Sequence, residues 1–173
     1  MNRKDFMAGL LAAACCAMTA TLMPDVGFAQ MDSVKTAMTS LKTMTAKLGV
    51  AKIEGRDPVA GKDAPGLYFG TSKMNNAFDV VDAVAKESGG IATLFVKAGA
   101  EYVRIATNVK KGDGSRAIGT ILDPKGPVIG GIGKGDAYYG DADILGKPYV
   151  TGYEPIKDAS GDVIGIYFVG FKK

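Results

Sequence analysis

The chain has 173 residues, a formal charge of +3, no histidine, no tryptophan and two cysteines. Both cysteines, Cys15 and Cys16, fall in an apolar N-terminal stretch, so the rest of the chain has no Ser–His or Cys–His catalytic pair and no thiolate or imidazole metal site. The positive charge is too slight and too scattered for a nucleic-acid footprint, and nothing in the composition calls for a cofactor.

Arg3 and Lys4 precede the apolar run Phe6 to Met23, and Gly27-Phe28-Ala29 supplies a small-residue exit. That order describes a secretory signal over residues 1–29, which predicts export to the periplasm. Two other readings use the same residues. Retained, Phe6–Met23 reaches the lower limit of a membrane span and would anchor the protein. Lipid attachment at Cys15 would follow Leu11-Ala-Ala-Ala14, a poor site. Pro24 and the small exit favour cleavage. Residues 30–173 are then enough for one well-buried domain and too few for two.

Met31 to Leu48 reads as an amphipathic helix, with Asp32 or Ser33 as cap and Gly49 as stop. Val34, Met38, Leu41, Thr45 and Leu48 recur at helical spacing. Val50 to Gly66 is polar, contains Pro58, Gly61 and Pro65, and reads as a connecting loop. After Leu67-Tyr-Phe-Gly70, Ser72 is the expected cap of a second helix, Lys73 to Lys86, which Ser88-Gly89-Gly90 stops. Ile91–Lys97 and Glu101–Val109 flank a short turn and should pair antiparallel. A turn follows at Lys110–Ser115, then a short extended piece at Ala117–Leu122 and the glycine-rich Gly126–Gly135. Ala137–Leu145, Tyr149–Lys157 and Val163–Phe171 are three more strands. Strands joined by short turns make an antiparallel sheet. The last strand is apolar on both faces, which puts it mid-sheet with both faces covered. The N-terminal helices can cover one face, and the glycine-rich insertion with its tyrosines is the candidate for the other.

Arg104 lies between Val103 and Ile105. Either its strand is an edge with the guanidinium in water, or one strand face lines a polar cavity. By alternation Arg104 shares a side with Tyr102, Ala106 and Asn108, and Tyr149, Thr151 and Tyr153 share a side of their own strand. With Arg116, these residues suit a small carboxylate, gripped by a guanidinium fork and completed by hydroxyls. The same tyrosines fit equally as core aromatics with satisfied hydroxyls. Gly130-Gly-Ile-Gly-Lys-Gly135 fails both the phosphate-loop and the dinucleotide spacing, and reads as a flexible flap or a loose helix start near the pocket. Asp136, Asp141 and Asp143 match no calcium loop and read as solvated carboxylates. No S-x-x-K pair exists, and no catalytic or metal-ligating residue is identified.

Six blocks then resemble one family. They are Asn76-Ala-Phe-Asp-Val-Val-Asp82, Ala92-Thr-Leu-Phe-Val96, Val103-Arg-Ile-Ala-Thr-Asn108, Gly114-Ser-Arg-Ala-Ile-Gly-Thr120, Gly146-Lys-Pro-Tyr-Val-Thr-Gly-Tyr-Glu-Pro-Ile156 and Gly161-Asp-Val-Ile-Gly-Ile-Tyr-Phe-Val-Gly170. In order, they resemble the single Cache sensory domain of bacterial chemoreceptors and sensor kinases, specifically its Cache 3/Cache 2 fusion type. The resemblance implies an α+β, PAS-like fold in which a long N-terminal helix packs on a five- to six-stranded antiparallel sheet, with a pocket beneath a flap on the other face. It implies a non-enzymatic extracytoplasmic domain that binds small ligands, often short-chain carboxylates, in signal transduction or chemotaxis. Carried over by position, the ligand-facing residues are Arg104, Arg116, Tyr139, Tyr149, Thr151 and Tyr153, with Ala106 where relatives often have serine. Relatives continue into a transmembrane helix, whereas this chain ends at Lys173. The expected partner is therefore a separate membrane receptor or histidine kinase. A homodimer through the N-terminal helix is compatible with the resemblance. The alternative is an adaptor module that docks on such a receptor with a vestigial pocket.

Overall fold

The computed structural model describes residues 26–173. Of the expected leader over residues 1–29, residues 1–25 lie outside the described residues, and 26–29 are the first residues of the N-terminal helix. Helix α1 (Val26–Ala46) starts before the expected Met31. Its apolar stripe of Val34, Ala37, Met38 and Leu41 is fully spent on the core, while Thr36, Thr39 and Thr43 face outward. Thr45 is buried too, and its hydroxyl accommodates this by bonding back to the Leu41 carbonyl (3.1 Å) and meeting the Tyr167 hydroxyl at 3.2 Å. Among the described residues no helix is long and apolar enough to cross a membrane.

The expected loop over Val50–Gly66 is instead a β-hairpin, with β1 (Ala51–Val59) paired antiparallel to β2 (Lys62–Phe69). Ala60 and Gly61 turn it with φ of 49° and 82°, the two left-handed residues that a two-residue hairpin turn needs. Most of β1 is solvent-exposed, so no alternation marks it. Pro58 and Pro65 are tolerated because the pairing is peripheral and is interrupted by a register shift between Ile53 and Arg56. The two-residue strand β3 (Ser72–Lys73) completes this small sheet, so Ser72 is a strand residue and not a helix cap. Helix α2 begins later than expected and spans Asp79–Ser88, with Phe78 at its N-cap making no side-chain bond. Asp79 and Asp82 in the first turn and Lys86 in the last complement the helix dipole, and Gly89 closes it at φ 73°.

The main sheet contains β4 (Ile91–Ala98), β5 (Glu101–Thr107), β6 (Tyr138–Asp143), β7 (Pro148–Lys157) and β8 (Val163–Lys172), all antiparallel in the order β5-β4-β8-β7-β6. The doubly apolar last strand is therefore central. Helices α1 and α2 and the small sheet cover one face, where Leu94, Val96, Tyr167 and Val169 meet Leu41, Leu67 and Val81. On the far face Phe95, Ile166 and Phe168 pack against Val128 and Ile132, which belong to the glycine-rich insertion and its short helix α3 (Ile129–Ile132). The Ala117–Leu122 piece forms a single isolated bridge, Ile121 with Val103. Its backbone nonetheless bonds along the outer edge of β5, with the Arg104 amide donating to the Thr120 carbonyl at 2.8 Å, so that edge is covered.

Two bulges break strict alternation. On β5, Arg104 pairs with Phe95 and Ala106 with Leu94, leaving Ile105 as the extra residue. On β8, Gly165 pairs with Ile156 and Val163 with Lys157, leaving Ile164 extra. Beyond a bulge the faces exchange. Ile164 therefore joins the helix-side core and Val163 the far side, the reverse of the simple reading.

Candidate ligand-binding site

The far face holds a cavity of about 510 Å³ between the sheet, the Thr120–Asp123 segment, Gly126–Val128 and the β6–β7 turn. That volume is in the range of small-molecule sites. Two predicted residues line it, Arg104 and Tyr153. Arg104 is only 5 % exposed. The β5 bulge sets it opposite Phe95, whose ring centroid is 5.1 Å from the guanidinium carbon. Its Nη1 donates to the Thr120 hydroxyl at 3.0 Å, and that hydroxyl in turn donates to the Ala117 carbonyl at 2.8 Å. The buried Nε has no hydrogen-bond partner. Burial lowers the Arg104 pKa to about 10, partly opposed by the nearby Tyr153. The group is thus still a cation at neutral pH, and no carboxylate among the described residues pairs with it.

Tyr153 lies in an aromatic cluster, 4.7 Å from Phe168 and 6.1 Å from Tyr138 between ring centroids. Burial pushes its phenol well above the ordinary value, an effect that Arg104 tempers. It is therefore a neutral donor at neutral pH. Together the two residues present a cation and a hydroxyl to the cavity, a combination that recognises an anion's oxygens. Asp123, Asp141 and Asp143 also line it, but each carboxylate is engaged elsewhere, accepting from the Lys125 amide, Lys173 and the Gly146 amide respectively.

The other predicted residues are not brought to this cavity. Arg116 forms a bidentate pair with Asp82 of α2, both contacts at 2.7 Å, donates to the Thr107 carbonyl and lies 4.3 Å over the Phe78 ring. Tyr139 points to the opposite face and donates to Glu154 at 2.5 Å. Thr151 is fully buried on the far side but donates to the Gly140 carbonyl across the sheet at 2.7 Å. Tyr149 also faces the far side, in a separate cleft. Ala106 does not share the side of Arg104, because the bulge turns it into the helix-side core. Sequence reasoning missed Thr120, which positions Arg104. Its membership of the Gly114–Thr120 block was the one available signal. Among the described residues no group of three or more histidine, cysteine or acidic side chains is placed to hold a metal ion.

A central antiparallel sheet, helices on one face and a flap-covered polar cavity on the other define the PAS-like class of sensory domain. The family model for the Cache 3/Cache 2 fusion domain matches residues 18–173. The chain belongs to that family, whose domains are extracytoplasmic sensor modules of signalling proteins. Such modules are typically non-enzymatic and bind small molecules within receptors or kinases. No curated protein matches the chain.

Proposed function

We propose that this chain is a periplasmic sensor domain that binds a small carboxylate in the far-face cavity and acts in signal transduction through a membrane receptor or histidine kinase. Arg104 is the anion receptor and Tyr153 the accompanying donor. The observation that carries this is Arg104 itself: a buried, charged guanidinium with an unpartnered Nε at the wall of a cavity. A buried cation without a counter-charge is costly, and an incoming carboxylate would remove that cost.

A thermal-shift screen of small carboxylates on the mature protein tests this, since a ligand that binds only the folded state must raise Tm. Calorimetry of the best hit against Arg104→Met should then show affinity lower by about 30-fold or more, the usual scale for losing one partner of a buried charge pair. Arg116→Met should bind as the parent does. If no carboxylate raises Tm, or if Arg104→Met binds equally well, the receptor reading fails and the adaptor reading with a vestigial pocket takes its place.

A further inference from the structure

The cavity has a neighbour. A second cleft of about 300 Å³ lies on the same sheet face, lined by Asn108, Lys110, Lys147 and Tyr149, and it shares Ile144 and Leu145 with the cavity at Arg104. Those two residues begin the β6–β7 turn and are the partition between the two spaces. Leu145 is unusual in two respects. It is a large apolar residue 49 % exposed, and its φ of 53° is in the left-handed region, where a turn prefers asparagine or glycine. Backbone strain of this kind concentrates at functional sites, and Leu145 stands at the rim of both spaces.

Beyond the partition the second cleft is lined by two lysines, Lys110 and Lys147. Among the described residues neither Lys110 nor Lys147 forms a salt bridge. Arg104 in the first space and Lys110, Lys147 and Tyr149 in the second therefore lie on one face, with the hydrocarbon of Ile144 and Leu145 shared between the two spaces. Tyr149 and Tyr153 are four residues apart on β7, about 13 Å at strand rise.

We infer that the two clefts form one bipartite site for an elongated ligand with an anionic group at each end and an apolar middle, of the α,ω-dicarboxylate class. One carboxylate sits at Arg104, the methylenes cross Ile144 and Leu145, and the second carboxylate reaches Lys110, Lys147 and the Tyr149 hydroxyl. This rests on the proposal that Arg104 receives a carboxylate.

The test is a chain-length series by calorimetry: succinate, adipate, suberate and sebacate against butanoate, hexanoate and octanoate. A medium-length diacid should bind about tenfold more tightly than the monoacid of equal length, with the advantage shrinking as salt is added. The double variant Lys110→Met/Lys147→Met, altered only at exposed residues, should erase that advantage and leave monoacid affinity unchanged. Arg104→Met should weaken both series. If mono- and diacids bind alike and the lysine variant changes neither, the bipartite site is refuted while the carboxylate receptor stands. If no member of either series binds, both are refuted.

Discussion

Replacing Arg104 by methionine separates a binding group from a structural one. A guanidinium held for the fold would take stability with it, whereas one held for a ligand should leave the empty protein no worse, or better. Lowering its pKa from 12.5 to about 10 corresponds to about 3 kcal/mol of unfavourable burial of the cation. Against that stand the contact with Phe95, worth about 1 kcal/mol, and the Thr120 bond, whose net worth is about 1 kcal/mol. Thr120 keeps its bond to Ala117 and so is not orphaned by the change. Methionine is flexible enough to fill the space against Phe95. The balance is a gain of about 1 kcal/mol, or about 3 °C in Tm for a domain of this size. Urea unfolding of the ligand-free parent and variant at pH 7 reads it directly. A variant destabilised by 2 kcal/mol or more would mean that the guanidinium holds the sheet together, and the account of a cation held for a guest would be wrong.

Other perturbations have definite outcomes. Arg116→Met should cost about 1–2 kcal/mol by breaking the bidentate pair with Asp82 and the stack on Phe78, measured by urea unfolding. Gly152→Ala should cost about 1–3 kcal/mol, because the added methyl would lie 2.7 Å from the Tyr139 ring and 2.8 Å from Val34 of α1, where nothing can yield cheaply. Burial alone would raise the Glu154 carboxyl, but hydrogen bonds from Lys42 and Tyr139 outweigh it and leave its pKa below 4.5. Its contribution is thus present above pH 4.5 and lost as the pH falls through the lowered folded-state value. Glu154→Gln should be less stable at neutral pH and show a shallower acid limb in Tm against pH; an unchanged limb would remove Glu154 from the acid response.

Most of the main sheet was legible because its strands are bounded by turn residues and its central member, Val163 to Lys172, is apolar on both faces. The burial demanded by that one strand also pointed to Gly126–Gly135 as the far-face cover, where Val128 and Ile132 indeed pack. The β1–β2 hairpin was not legible, since an exposed strand bearing prolines carries no hydrophobic period. Of the six candidate residues, Arg104 and Tyr153 line the cavity, while Arg116 and Tyr139 are drawn to partners that pattern alone does not reveal. Asp82, which captures Arg116, is 34 residues away in sequence, and the acceptor of Tyr139 comes from the neighbouring strand. Ala106 was misplaced for a simpler reason: a single unpaired residue upstream reverses the side, and no local composition announces it.

That unpaired residue, Ile105, has a consequence for how the cavity's lining could change. Which side chains of β5 face the cavity depends on the parity of the count along the strand as well as on their identity. Excising one residue there would swing either the arginine or the following alanine through half a turn in a single event. Length variation inside a strand, usually regarded as damage, would then be a faster route to new selectivity than any series of point replacements. Reconstructing relatives of this domain should therefore track the spacing between Phe95's partner and Leu94's partner before comparing the letters themselves.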